Sequence, residues 1–452
     1  MSEEMRQPGK IPRKVHLRTY GCQMNDYDSE VVAGLFDRDG WVLTDREDEA
    51  NVVILNTCSV RQHAEDRVWG KIFALKSRAA REPGLIVAVC GCMAQARAKE
   101  FSRRCPWVRV ICGTRAFDRL PELVDRASGQ RAPVIDIGTD RDPRTSGLPR
   151  KRKDRLKAFV AVMRGCENYC AYCVVPYVRG PELSRPEGEI IAEVEGLARD
   201  GCRELMLLGQ NVNSYRASGV SFAGLLREIG GVEGILRIRF MTSHPKDFPG
   251  ELLAAMAGVP QVCPHLHLPL QSGSDRILAL MNRGYTLAQY RSLVERLRGA
   301  IPGLALTTDL MAGFPGETGE EFSETLRALE EIRFDGAFIF KYSDREGTRA
   351  MELGPKVPGD EIIRRHAALL RVQERINAEK NIAMVGARVE VLVEGVSPRD
   401  PGRLFGRTGT NRRTAFPGSP DLIGRLACVT IREATALTLI GDAAEAAGGA
   451  HA

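Results

Sequence analysis

Along the first third of the chain, apolar and polar positions follow a strand–helix–strand rhythm. KVHLRTYGC alternates like a half-buried strand, ANVVILNTC is more continuously apolar, and GLIVAVCGC repeats that pattern. Helical stretches separate them, one from about Asp28 to Asp39 and one running to about Ala79. A period of about 35 residues predicts βαβ units and a parallel sheet. Cys22, Cys58 and Cys92 each fall at the C-terminal end of a predicted strand. In open α/β sheets those ends share a crevice where ligands bind, so three cysteines remote in sequence are expected to converge.

Further on, AFVAVM, ELMLLGQ, RIRFMTS, HLHLPLQ, ALTTDLMAGF and GAFIFKYS read as six strands with amphipathic helices between them. That suits an incomplete parallel (β/α) barrel, whose chemistry belongs at the C-terminal strand ends. Near Ile382 the texture changes. ARVEVLVEG and RLACVTIREA alternate with period two and are separated by Gly, Pro and Arg, predicting a small antiparallel β-barrel. The expected division is a disordered tail (1–13), an open parallel α/β domain (14–130), a linker rich in Pro, Gly and charge (131–151), the barrel (152–383), the small β-barrel (384–446) and a second tail (447–452). RKRKDRLK has no apolar face and reads as a solvated connector rather than an RNA contact.

Composition narrows the class. Of 452 residues, 43 % are hydrophobic and 27 % charged, a soluble globular profile. No apolar run approaches the roughly 20 residues that span a bilayer, and the polar start lacks the apolar core of a signal peptide. A cytoplasmic protein is expected. The net charge of +6 suits a polyanionic partner without pointing to one. Twelve cysteines say more, because in a reducing compartment clustered thiols suggest metal or redox chemistry.

The strongest local signal is Cys166-Glu-Asn-Tyr-Cys170-Ala-Tyr-Cys173, just after the first barrel strand. Three thiolates on a 4Fe–4S cluster leave one iron open to S-adenosylmethionine (SAM), whereas a full set would be four. A structural zinc site is the alternative. Zinc usually takes four ligands, and Cys202 lies too far along to complete the local set.

The spacing C-x3-C-x2-C resembles that of the radical SAM superfamily, in which an aromatic residue before the third cysteine, here Tyr172, lies near the adenine of SAM. The flanking text resembles the methylthiotransferase family within it. YGCQMN, NTCSVR and GCMAQ resemble its N-terminal domain, and VMRGCENYCAYCVVPYVRG, LGQNVNSY, SHP, LPLQSGS, GFPGET and YSDREGT its radical SAM core. LFGRTGTNRRTAFPG resembles its C-terminal TRAM domain, so the likeness runs from about residue 14 to 443. Asn56–Arg61 and Gly209–Tyr215 are most similar to the MiaB-type branch. One departure stands out. Where members often read P-Y-T-R-G-R-E-R-S-R, this chain has Pro181 and Leu183 in place of two basic residues.

The resemblance implies a transferase that methylthiolates C2 of N6-isopentenyl(dimethylallyl)adenosine at position 37 of the tRNA anticodon loop. It implies two 4Fe–4S clusters, an auxiliary one on Cys22, Cys58 and Cys92 and the radical SAM one on Cys166, Cys170 and Cys173. One SAM would supply the methyl group and another, cleaved after electron transfer, the 5′-deoxyadenosyl radical. An electron donor such as flavodoxin or ferredoxin is implied, with a monomeric enzyme and no membrane. The same chemistry on N6-threonylcarbamoyladenosine or a ribosomal-protein aspartate is the alternative. A non-enzymatic RNA-binding protein with structural metal is a second class.

Remaining candidates are weaker. Cys90 would face the same way as Cys92 on a continuing strand, and Cys92 is preferred for its place in GCMAQ. Cys105, Cys112, Cys202, Cys263 and Cys428 read as small core residues. Tyr172, Gln210, Asn211, Ser243, Gln271, Asp309 and Glu317 are candidates for contacting SAM or the target base, each weighed against a cap or loop role. His244 and His267 are proton carriers or satisfied buried imidazoles, and Arg179 and Arg185 pair with the SAM carboxylate or with carboxylates elsewhere. In the last domain Arg403, Phe405, Arg407, Arg412 and Arg413, with Phe416, offer phosphate-neutralising and base-stacking groups to RNA.

Overall fold

The computed structural model describes residues 13–59, 62–139 and 147–443. The expected tails, apart from Arg13, lie outside these residues, as do 140–146 of the expected linker and Val60 and Arg61 of NTCSVR. The chain forms two compact units. The first runs to Lys153 and adds Arg164–Cys166 and Val174–Glu182; the second comprises Asp154–Met163, Glu167–Cys173 and the chain from Leu183.

The first unit is built on six parallel strands: β1 (Lys14–Thr19), β2 (Val42–Leu43), β3 (Val52–Thr57), β4 (Ile86–Gly91), β5 (Val108–Cys112) and β6 (Val134–Asp136). Their order is β2-β1-β3-β4-β5-β6. Every residue of β3 and β4 is buried, as the unbroken apolar runs VVIL and IVAV require of strands covered on both faces. Helices α1 (Gln23–Arg38) and α4 (Leu120–Ser128) pack Val32, Phe36, Leu123 and Val124 on one face. Helices α2 (Gln62–Arg81) and α3 (Cys92–Arg104) cover the other with Val68, Ile72 and Phe101. Helix α1 begins at Gln23 rather than near Asp28, because Cys22 and Asn25 form a capping box that draws the polar QMND stretch into the first turn. The chain passes from β1 outward to β2 and then back to β3 on the other side of β1. The switch point, where crevices open, therefore lies between the ends of β1 and β3.

In the second unit all six expected strands are present: Lys157–Ala161, Glu204–Leu208, Arg237–Phe240, His265–His267, Ala305–Ala312 and Gly336–Lys341. They form two parallel trios, 1-2-3 and 4-5-6. The approach to the fourth strand bonds the third through Ile238 N to Gln261 O (2.8 Å) and Cys263 N to Ile238 O (3.0 Å), giving an open six-stranded arc. Val160, Leu205, Leu207, Ile238, Leu266, Leu306 and Leu310 point outward into one core with the surrounding helices.

The last five strands close a barrel around Val391, Leu404, Phe416, Val429 and Leu439. Four strand pairs are antiparallel as expected, and the closing pair, Arg413–Pro417 with Thr438–Ala443, is parallel. Two buried arginines of the arc's third strand grip this barrel by main-chain oxygens. Arg239 Nη1 and Nη2 donate to Gly409 O (2.8 Å) and Thr408 O (2.7 Å), while its Nε meets Glu204 Oε2 at 3.0 Å. Arg237 adds a bond to the Arg407 carbonyl.

Removing one partner of such a buried pair strands the other charge. Arg239→Met should therefore destabilise the chain by about 3–5 kcal/mol in chemical denaturation, and adding Glu204→Leu should recover more than half of the loss. A change below about 1 kcal/mol in the single variant would refute the anchoring role.

Candidate functional site

Cys22, Cys58 and Cys92 sit immediately beyond β1, β3 and β4, which are neighbours in the sheet. A buried amide web fixes the first two. Asn25 Nδ2 donates to Thr57 O (3.0 Å) and Asn56 Oδ1 (3.2 Å), and Asn56 Nδ2 to Asn25 O (2.8 Å) and Ser29 Oγ (2.9 Å). Cys22 Sγ lies 3.2 Å from Asn25 Oδ1, and Gly21 is so close to Cys58 that a Cβ added to the glycine would meet the Cys58 Cβ at 2.6 Å.

Cys90 and Cys92 part company. At Gly91 the chain leaves the strand with φ +94°, where a Cβ would strike the Thr57 carbonyl, so only glycine fits. Cys90 points into the α1/α4 core with Cys112, whereas Cys92 starts α3 and packs on Val174 and Val178. The strand does not continue to Cys92, so the two thiols face different ways.

Electrostatics distinguish this place from ordinary core. Asp28, fully buried, is held by Arg164 Nη2 at 3.1 Å and by Arg179 Nη2 at 2.9 Å, the latter from α5 (Val175–Arg179). Two guanidiniums share one carboxylate, and Arg179 also reaches the Cys92 thiol. The surplus positive charge falls on the thiols. The Cys22 thiol lies far below its ordinary pKa, chiefly because Cys58 hydrogen-bonds to it; burial opposes this and the Arg179 charge assists. Burial pushes the Cys92 thiol up, against the same Arg179 charge. Arg179 thus pairs with Asp28 here, and Arg185 with Glu193 at 2.8 Å.

Cys166 is described with the first unit, where its N–H donates to Gly180 O at 3.2 Å. It follows Gly165, whose φ of +79° and contact with the Pro181 carbonyl leave no room for a side chain. Cys170 and Cys173 belong to the second unit and close a tight turn, Cys173 N to Cys170 O at 2.9 Å. The segment Met281–Gly284 pins this turn. Ala171 N bonds Met281 O (2.9 Å), and Asn282 Nδ2 reaches the carbonyls of Asn168 and Tyr169 (3.1 Å each). Arg283 Nη1 lies 3.3 Å from Cys170 Sγ and 3.5 Å from the Tyr172 hydroxyl. Sequence reasoning missed Asn282 and Arg283; the only signal was a polar Asn-Arg-Gly break between helices.

Loops at the C-terminal ends of the arc's strands carry most of the other candidates. Gln210 is half-buried and Asn211 buried, the latter donating to Asp247 Oδ2 at 3.0 Å. Asn211 Oδ1, Ser243 Oγ and His244 Nε2 are buried without a partner among the described residues, on loops zipped together by Val212 N to Thr242 O (3.1 Å) and Asn213 to His244 (3.1 and 3.2 Å). Burial holds the His244 imidazole down at about 2, so it is neutral. Gln271 takes φ +73° where the fourth strand hands its hydrogen bonds to the fifth. Asp309 lies 3.4 Å from His267 Nε2, whose Nδ1 meets Thr307 Oγ1 at 3.0 Å. Glu317 turns to Gly313 N and Arg365, both at 2.8 Å, as a loop clamp, although its Oε1 has no partner among the described residues.

In the small barrel Arg413 is exposed, Arg403 pairs with Asp400 (3.1 Å), and Arg407 bonds Asn411 Oδ1 (2.9 Å). Phe405 is half-buried. Arg412 is committed elsewhere, to Asp335 at 2.7 Å and to Asn381. Phe416 is wholly buried in the barrel core and is unavailable for base stacking, contrary to expectation. Cys105, Cys112, Cys202 and Cys263 are buried, but Cys428 is exposed on an outer strand face and is not a core residue.

Three family models match in order: uncharacterized protein family UPF0004 over residues 14–113, the radical SAM superfamily over 160–329 and the TRAM domain over 383–444. The chain is 47 % identical over 436 residues to a tRNA-2-methylthio-N(6)-dimethylallyladenosine synthase of Syntrophomonas wolfei, covering 96 % of this chain and 98 % of that one. A synthase of the same name from Moorella thermoacetica is 45 % identical over 438 residues, covering 96 % and 99 %. The chain belongs to this synthase family. It is a radical SAM enzyme, and its cofactors are SAM and two 4Fe–4S clusters. Among solved structures, the radical S-adenosylmethionine methyltransferase TsrM from Kitasatospora setae, with cobalamin and a 4Fe–4S cluster bound, has a TM-score of 0.53 at 16 % identity. It covers 75 % of this chain and 77 % of its own, and it shows the shared fold.

The donor chemistry of these residues suits such groups. A surplus buried positive charge beside three thiols favours the thiolate form that iron requires. The unpartnered polar atoms of Asn211, Ser243 and His244 at consecutive strand ends are the donors and acceptors that a polar ligand such as SAM would satisfy. In metal-free protein, the pH profile of Cys22 alkylation, followed by peptide mass spectrometry, should have its midpoint well below that of the urea-unfolded chain. Cys58→Ala should move it upward by about one unit or more. Coincident folded and unfolded profiles would contradict the thiol pairing.

Proposed function

We propose that this chain is a tRNA methylthiotransferase that converts N6-isopentenyl(dimethylallyl)adenosine at position 37 of the anticodon loop to its 2-methylthio derivative. The observation that carries the reading is the placement of Cys22, Cys58 and Cys92 on adjoining strand ends beside a buried, positively charged Arg164–Asp28–Arg179 group. Those three thiols hold the auxiliary cluster, and Cys166, Cys170 and Cys173 hold the radical SAM cluster. Bound SAM and the two clusters supply the radical, methyl and sulfur chemistry that an unactivated aromatic C–H demands.

The chain's own groups bind, orient and exclude water. Tyr172 packs edge-on to Phe314, with ring centroids 6.5 Å apart, and would line the adenine side of the SAM site. Gln210, Asn211, Ser243, Gln271 and Asp309 form the polar rim for SAM and the target base, with Glu317 bracing the loop beneath it. Arg403, Phe405, Arg407 and Arg413 form the RNA-facing set of the TRAM barrel, with phosphate contacts setting affinity and the aromatic ring stacking on an unpaired base. No described helix is long and apolar enough to cross a membrane. The enzyme works as a cytoplasmic monomer, with flavodoxin or ferredoxin as electron donor.

The test is direct. Anaerobically reconstituted chain, SAM, dithionite and isopentenylated tRNA should yield the 2-methylthio nucleoside by mass spectrometry, and Cys92→Ala or Cys170→Ala should reduce it by about 100-fold or more. Methylthiolation of threonylcarbamoyladenosine instead, or unmodified tRNA with both clusters loaded, would overturn the assignment.

A further inference from the structure

Of the eight arginines buried among the described residues, Arg164, Arg179, Arg185, Arg237, Arg239 and Arg365 each reach a carboxylate. Arg283 reaches none among the described residues. It is 4 % exposed, and its partners are all uncharged when their protons are on: Tyr285 Oη at Nε (3.0 Å), Pro269 O at Nη2 (3.2 Å), and Cys170 Sγ and Tyr172 Oη at Nη1 (3.3 and 3.5 Å). A buried guanidinium without a counter-ion is costly. Of these partners, the Cys170 sulfur becomes an anion when it ligates iron. As an iron ligand 3.3 Å from Arg283 Nη1, Cys170 would supply the missing counter-charge.

The surroundings keep this charge in place. Tyr285 Oη is itself tied to the carbonyls of Pro269 and Leu270 (3.0 Å each), and the Cys170 turn is fastened to the same Met281–Gly284 segment by Ala171 and Asn282. Arg283 and Cys170 are thus braced against one another from both sides.

We propose that Arg283 is the counter-ion of the Cys170 thiolate and sets how readily the cluster held there accepts an electron. The inference rests on the assignment of Cys166, Cys170 and Cys173 to the radical SAM cluster. The step concerned is the one-electron reduction of that cluster by an external reductant, with no proton or bond change in the protein. One-electron reduction adds negative charge, so a fixed positive charge at one ligand favours the reduced state and raises the midpoint potential. Arg283 is a positioning and tuning residue, since it acts through Cys170.

The experiment uses the full chain with Cys22, Cys58 and Cys92 changed to Ala, so that one cluster remains, and follows it by iron and sulfide analysis and by EPR-monitored redox titration with dithionite. Arg283→Gln should retain the cluster, shift its midpoint to more negative potential and lower the reduced fraction at a fixed potential about tenfold or more. Arg283→Lys, which keeps the charge, should stay near the parent. An unchanged midpoint in Arg283→Gln, or equal shifts in both variants, would overturn the proposal. Should Arg283→Gln fail to load iron, a loaded Arg283→Lys of parental midpoint supports the need for charge. Failure of both variants to load would reduce Arg283 to a structural role. Absence of any cluster in the parent would instead sink the assignment of the three cysteines.

Discussion

A parallel sheet brings every strand to the same edge pointing the same way, and the cysteine placement in the first unit depends on that. Three residues far apart in sequence become neighbours because each follows a strand, and because β1, β3 and β4 are adjacent. The glycine before Cys92 then turns the thiol away from the sheet at the point where a Cβ would collide with the neighbouring strand. Topology selects the place, and local backbone freedom selects the direction.

Polar order is built on top of this. Asn25 and Asn56 satisfy each other's amides across the end of β3 and hold the first turn of α1 in register. Asp28, from the next turn, then meets two arginines supplied by the chain beyond residue 163. In the second unit the same economy of means applies with different parts. A short Met-Asn-Arg-Gly segment braces the turn bearing Cys170 and Cys173 through main-chain and side-chain bonds together. In both units, buried cations lie beside sulfur rather than in solvent.

Period and spacing alone made much of the architecture legible. The apolar runs VVIL and IVAV announced covered strands, and the six barrel strands were each visible as short apolar segments with turn residues after them. Long-range polar pairing was not visible, since nothing local tells Arg412 to seek Asp335, or Arg179 to seek Asp28. Phe416 and Cys428 failed for a related reason. Which face of a barrel strand points inward is set by its register with partners, which the sequence of the strand alone does not give. The start of α1 was read late because its first turn is largely polar, with only Met24 and Asn25 of it buried.

Arg237 and Arg239 hold the terminal barrel chiefly by the carbonyls of Arg407, Thr408 and Gly409, with one side-chain contact from Arg237 to Glu390 at 3.3 Å. Main-chain oxygens are common to all residues, so the fastening at this turn does not dictate the identity of the residues it grips. The turn's outward chemistry is free to diverge among descendants of this chain, in step with whatever nucleic acid each must recognise, while the joint beneath it stays the same.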